Sequence, residues 1–356
     1  MLQLMFGKNY MVKNSKMSKR SMNDSEDVEY LCEEIVHIET ISAALFILVF
    51  IFSVAGNTLL LCVLAVYENL KNVTNLFVLN LACSDLVFAI TLPFWAYFYL
   101  HKDWVFGDFC CKFMTAAYFV GLYSSVILLT AMTVDRFITV VLHNYWPSNC
   151  VRRQRCAVGA CVAAWVISTA ASLIDAIKVE TRTYWNNLTE CSPSSDGLDV
   201  NVGHYVQVSL LFFLPFVIIV FCYSAILKTV LQPSNRKRHR TVVVVLCVVA
   251  TFFICWGPYN ILLIVETIFK PSACNDKERL NIAFHICQIL AFSHCCMNPV
   301  LYMLSQKWQK HLLHLLPCDK VCRKNRERGI GLSTSVIQNT ISVAQKSTVV
   351  LELHSK

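Results

Sequence analysis

Apolar residues in this chain come in long unbroken blocks, not in the alternation of a strand or the one-sided stripe of a soluble helix. The blocks at 41–66, 241–265 and 280–306 contain no Asp, Glu, Lys or Arg. Each exceeds the roughly 20 residues a helix needs to cross about 30 Å of hydrocarbon. Blocks at 156–174 and 200–227 read the same way, and 72–100 and 112–141 do so with isolated charges. In lipid the backbone must satisfy itself, so each block predicts a helix. The fold expected is an all-α membrane protein, a seven-transmembrane helix bundle. After the seventh block, Trp308, Leu312, Leu315 and Leu316 share one face of a short amphipathic eighth helix lying in the interface. The organisation predicted is an outer tail at 1–38, the bundle at 39–304, the amphipathic helix at 305–316 and a disordered cytoplasmic tail at 317–356.

Composition agrees with a chain that meets lipid: 56% of residues are hydrophobic, 15% are charged, and the mean hydropathy is +0.52. The formal net charge of +8 is no nucleic-acid footprint, because the basic residues sit beside the spans on alternate sides. Arg152, Arg153 and Arg155 follow the third block, Arg236, Lys237, Arg238 and Arg240 the fifth, and Lys307, Lys310, Lys320, Arg323 and Lys324 the seventh. That bias makes their side cytoplasmic and puts the N-terminus outside. Residues 1–20 hold five basic residues and no acidic one, whereas 21–39 hold seven acidic residues and no Lys or Arg. Met17 or Met22 is therefore a candidate start, with 1–21 an upstream extension; the alternative is an unusual basic leader. No cleavable signal peptide is evident, and the first span can serve as its own signal. Of the 18 cysteines, those expected outside are Cys32, Cys110, Cys111, Cys191 and Cys274, and adjacency leaves either Cys110 or Cys111 as a spare. No cysteine pair stands beside histidines at zinc spacing.

Polar residues inside the spans carry the chemistry. Asp85, midway along the second, needs polar partners at that depth. Asn57, Ser125, Asn298 and His294 lie on other spans and could surround a hydrated cation with it; the plainer reading is a protonated acid in an interhelical hydrogen bond. Asp135 and Arg136 end the third span. They read either as a pair snorkelling to the headgroups or as a bistable element, the Arg held by its neighbour in one state and freed in another. Pro93, Pro215, Pro258 and Pro299 each remove a backbone donor inside a span and so mark kinks. With Trp256, Asn298 and Tyr302 beside them, they offer a means of swinging helix ends. An intramembrane protease would need paired catalytic groups at one depth and a transporter internal repeats, and neither is found.

Over about residues 40–316 the chain resembles the rhodopsin-like G-protein-coupled receptors. The resemblance is carried by Gly56-Asn57, LNLACSD at 79–85, Asp135-Arg136, Trp165, Pro215 with Tyr223, CWGP at 255–258 and NPVLY at 298–302. TLPFWA at 91–96, WVFGDFCCK at 104–112 and AFSHCCMNPVLY at 291–302 are similar to the chemokine-receptor branch. RKRHRTV at 236–242 and SLIDAI at 172–177 resemble its C-type members. The runner-up is a neighbouring branch of peptide receptors.

The resemblance implies a G-protein-coupled chemokine receptor of the plasma membrane, not an enzyme, coupling to a Gi-type G protein for calcium signalling and chemotaxis, with a C-type chemokine the favoured ligand. It implies disulfides Cys111–Cys191 and Cys32–Cys274. It assigns Asp135, Arg136, Tyr223, Asn298, Pro299 and Tyr302 to the G-protein switch, and Phe252, Trp256, Pro258 and Pro215 to the activation core. Trp95, Tyr118, Tyr259, Glu266 and Gln288 would line the ligand pocket, after a first contact with the acidic tail at Asp27, Glu29 and a sulfated Tyr30. No cofactor is implied other than an allosteric sodium ion at Asp85, Ser125 and Asn298. Two departures stand out: Gln288 replaces the family's usual acid, and Phe137 the usual Tyr after Asp-Arg, so an atypical, scavenging receptor stays open. Asn23 and Asn187 are outer glycosylation sequons, while Asn72 heads a third on the inner side. Cys318 and Cys322 are palmitoylation candidates, and the hydroxyl-rich tail beyond them suits receptor kinases and arrestin.

Overall fold

The described part of each of the seven blocks is helical in the computed structural model, which describes residues 36–142, 150–184, 187–194, 209–230, 239–268 and 274–303. The first span is α1 (Val36–Tyr67). The second is divided into α2 (Val73–Ala89) and α3 (Leu92–His101). The third is α4 (Gly107–Val140) and the fourth α5 (Cys150–Ile177). The fifth is a π-type turn at Ser209–Phe213 running into α6 (Leu214–Val230). The sixth is α7 (His239–Ile268), and the seventh is α8 (Cys274–Phe292) followed by α9 (His294–Met303). The amphipathic helix at 305–316 and both tails lie outside the described residues.

The interruptions have local causes. Asn72 caps α2, its side-chain oxygen accepting from the Thr74 amide at 3.1 Å. Pro93 sits in the first turn of α3 and cannot donate to the carbonyl of Ala89, where α2 stops. Pro215 likewise leaves the carbonyl of Leu211 without its helical donor, and the chain there takes the wider π turn. In the seventh span Pro299 frees the carbonyl of Cys295. That carbonyl accepts instead from Asn57 Nδ2 at 2.9 Å and Ser53 Oγ at 3.3 Å, both on α1.

The third span is central: α4 packs on α2, α5 and α6. Its approach to α2 depends on Gly121, where an added Cβ would lie 2.8 Å from the backbone nitrogen of Phe88. Polar bonds stitch this seam and those that α5 makes with α2 and α4. Ser84 Oγ donates to the Gly121 carbonyl at 2.7 Å and meets Ser125 Oγ at 2.8 Å. Trp165 Nε1 donates to Asn80 Oδ1 at 2.9 Å, and Tyr123 OH to Asp175 Oδ2 at 2.6 Å. Outward, Phe52, Val166, Phe221 and Ile254 expose between 62% and 66% of their surface. In water such a surface would aggregate, whereas in a bilayer it faces its solvent.

Between the fourth and fifth spans lies an antiparallel hairpin that the apolar pattern gave no sign of. β1 (Val179–Thr183) pairs with β2 (Thr189–Pro193) in the register Thr181 opposite Cys191.

Candidate functional site

At the outer end, the hairpin is fastened to the top of the third span. Cys111 is bonded to Cys191, and Cys110 is the spare. The Thr181 amide donates to Asp108 Oδ1 at 3.1 Å, and the Thr189 amide to Asp103 Oδ1 at 2.9 Å. Burial pushes the Glu190 carboxyl up, against the Tyr184 hydroxyl that donates to it at 2.8 Å. Asn187, at the hairpin tip, is exposed and left-handed at φ 61°.

Beneath the hairpin the predicted pocket residues divide. Tyr118 and Tyr259 belong to one aromatic group. Tyr118 packs against the tilted ring of Phe88 at 4.9 Å and meets Phe292 edge-on at 5.7 Å, and Tyr259 meets Trp256 edge-on at 5.9 Å. Trp95 instead pairs with Trp104 at 5.1 Å. Gln288 is buried and its Oε1 accepts from Tyr99 OH at 3.1 Å, so the amide that replaces an acid is engaged by the bundle's own hydroxyl. Nearby, the Glu39 carboxylate pairs with Lys102, and Ser42 Oγ lies 3.0 Å from His285 Nδ1. The Glu266 side chain is outside the described residues, as are Cys32, the Cys274 side chain, Asp27, Glu29, Tyr30, Asn23, Cys318 and Cys322.

The activation core continues inward from Trp256, which stacks on Phe252 at 6.1 Å, both within 5.6 Å of the His294 ring. Pro215 is buried and Pro258 lies inside α7 on its exposed side. Asp85 is fully buried below this layer. Its Oδ2 accepts from Asn298 Nδ2 at 2.8 Å, and its Oδ1, without a hydrogen-bond partner, is 3.8 Å from His294 Nε2. Ser125 joins the group by its own side-chain interaction with Asp85, and also meets Ser84 Oγ at 2.8 Å. Asn57 is committed elsewhere: its amide nitrogen serves Cys295, because Pro299 created that vacancy, and only its Oδ1 lacks a partner.

At the inner face the neighbours Asp135 and Arg136 attract each other electrostatically, but among the described residues no hydrogen-bonded ion pair joins them. Asp135 accepts Nε and Nη2 of Arg153, both at 2.7 Å, a two-pronged ion pair from α5. The Arg136 Nε and Nη2 are buried without a hydrogen-bond partner among the described residues. Tyr223 and Tyr302, both buried, lie within electrostatic reach of that guanidinium. Phe137 rests on Phe221 at 5.8 Å. Arg153 is the residue that reading the sequence missed. It stood only as one of three arginines setting orientation, and its position ahead of the predicted fourth span hid its place on the helix. The signal available was the helix-length gap between 141 and 156, short enough to bring basic residues back beside Asp135.

A disulfide-tied outer hairpin, a kinked aromatic core, a buried acid midway along the second span and an inner-face arginine, on seven spans in this order, describe a transmembrane receptor of the rhodopsin class. The family described as 7 transmembrane receptor (rhodopsin family) matches residues 56–302. The chain is similar to Chemokine XC receptor 1 of Homo sapiens, 40% identical over 288 residues that cover 79% of this chain and 83% of that receptor. The same receptor of Mus musculus is 39% identical over 303 residues, 84% of this chain and 90% of its own length. C-C chemokine receptor type 3 of Cavia porcellus is 34% identical over 283 residues, 77% of each. The chain belongs to the chemokine receptors of the rhodopsin family, G-protein-coupled and non-enzymatic, crossing the plasma membrane several times.

Proposed function

We propose that this receptor binds a basic chemokine, with the C-type favoured, and passes the signal to a Gi-type G protein for calcium release and chemotaxis. The likeness to the XC receptors carries the ligand class. The acidic stretch between Asp24 and Glu34, with Tyr30 in it, suits a basic partner and would attract it over about a Debye length. Binding outside shifts a pre-existing equilibrium in which the inner part of α7 swings about Pro258 and Arg136 meets the G protein. The Arg136 Nε and Nη2, buried without a hydrogen-bond partner among the described residues, support this role, since a buried charge short of hydrogen bonds is costly until a partner supplies them. Arg136→Ala should keep chemokine binding and lose nucleotide exchange; full signalling by that variant would remove Arg136 from the switch. Chemokine uptake by the unaltered receptor with no nucleotide exchange would favour the scavenging reading, to which the missing hydroxyl at Phe137 points. Arrestin and receptor kinases acting on the C-terminal tail belong to the same proposal.

We propose also that Asp85, with Asn298 and Ser125, holds a sodium ion that favours the resting arrangement. The unpartnered Oδ1 of Asp85 supports this. Asp85→Asn should abolish the dependence of agonist affinity on sodium, and unchanged dependence would reject the site.

A further inference from the structure

Arg153 stands in the first turn of α5, where the helix macrodipole disfavours a cation. Its fork is nonetheless ordered onto one carboxylate, with two bonds of 2.7 Å. Asp135, whose side chain is only 12% exposed, gives both oxygens to it. The next residue, Arg136, is then left with its Nε and Nη2 buried and without a hydrogen-bond partner among the described residues. Local rules are broken at two adjacent places, and one bond accounts for both.

We infer that Arg153 is a positioning residue for the inner-face switch: by occupying Asp135 it keeps that carboxylate from capturing Arg136 and so leaves the Arg136 guanidinium available to the G protein. The inference rests on the reading of Arg136 as the switch. Remove the Arg153 fork, and a nearly buried carboxylate loses its partner while the nearest unsatisfied cation is its own neighbour in sequence. Charge compensation then draws Asp135 and Arg136 together, which is the resting arrangement. A lysine at 153 would offer a point charge in place of the planar fork and hold Asp135 less well.

The test uses the full-length receptor in cell membranes. It follows guanine-nucleotide exchange without agonist and with a C-type chemokine as probe, alongside surface expression and binding of the labelled chemokine. Arg153→Gln should reduce exchange in both conditions by roughly fivefold, the lower end of the usual range for coupling between sites, with expression and binding retained. Arg153→Lys should fall between. The deciding variant is Arg153→Gln with Asp135→Asn: without a charge at 135, Arg136 cannot be captured, so exchange should recover toward the level of Asp135→Asn alone. A role in folding only would make the two changes additive and lower expression with exchange, and that result overturns the inference. Arg155→Gln, which removes one exposed charge from the same helix end, should leave exchange well above that of Arg153→Gln. An equal fall would show that inner-face charge alone is responsible and would also overturn it. If Arg136→Ala itself exchanges nucleotide normally, it is the switch reading that fails; a silent Arg153→Gln beside an inactive Arg136→Ala rejects the positioning role alone.

Discussion

At the scale of single residues, the clearest lesson is that a proline sets the task of a side chain on another helix. Pro299 cannot donate to the Cys295 carbonyl, and Asn57 Nδ2 takes its place at 2.9 Å. Asn57→Ala should therefore leave a buried carbonyl short of a donor and cost about 1–3 kcal/mol, read as a lower thermal midpoint of the solubilised receptor. In a Pro299→Ala background residue 299 regains its amide, and the same Asn57→Ala change should cost distinctly less. Equal costs in the two backgrounds would mean that the Asn57 bond is incidental to the kink. From the sequence, Asn57 reads as a partner of Asp85, because both are polar residues inside spans. The need for polar partners was legible there; which acceptor claims a given donor was not, since that depends on a carbonyl released on a span more than two hundred residues away.

Among elements, the spans were legible because hydrocarbon thickness demands long apolar blocks, and the blocks carry at most isolated charges. The helices α1, α5 and α7 overrun their blocks at both ends: α5 begins at Cys150 where the apolar block begins at 156, so the basic residues there are already helical. Neither the hairpin nor the π turn was legible. VETRT and TECSP are short and mostly polar, and what holds them is the Cys111–Cys191 bond and the carboxylates of Asp103 and Asp108. Glu190 lets the burial of this hairpin be measured. Its carboxyl is raised by desolvation, so the folded state binds the proton more tightly than the unfolded chain does. The charged form thus costs stability above the raised value, and the cost disappears as pH falls through it. Glu190→Gln keeps an acceptor for Tyr184 without the charge. Its stability relative to the unaltered receptor should rise with pH across that window, as followed by thermal unfolding at a series of pH values. A difference independent of pH would mean that Glu190 is not desolvated by the hairpin.

For the whole molecule, orientation is the property on which every other assignment depends, and two sequons at opposite ends of the spans report it. Asn187 lies exposed at the tip of the hairpin that the disulfide ties to the third span, with its side chain clear of the sheet. Asn72 sits at the other end of the second span from that hairpin, and its side-chain oxygen is spent as the cap of α2. Basic residues concentrate at the Asn72 end, which makes it cytoplasmic and out of reach of glycosylation. Asn187→Gln should therefore remove one glycan, seen as a smaller shift on enzymatic deglycosylation, and Asn72→Gln should leave the shift unchanged while lowering thermal stability by about 1 kcal/mol through loss of the cap. The stability change guards against a silent result, because it shows that Asn72 acts in the fold even though it carries no sugar. The opposite outcome, a glycan lost with Asn72 and retained with Asn187, would turn the bundle over and place Arg136 and Arg153 outside the cell, where no G protein could meet them.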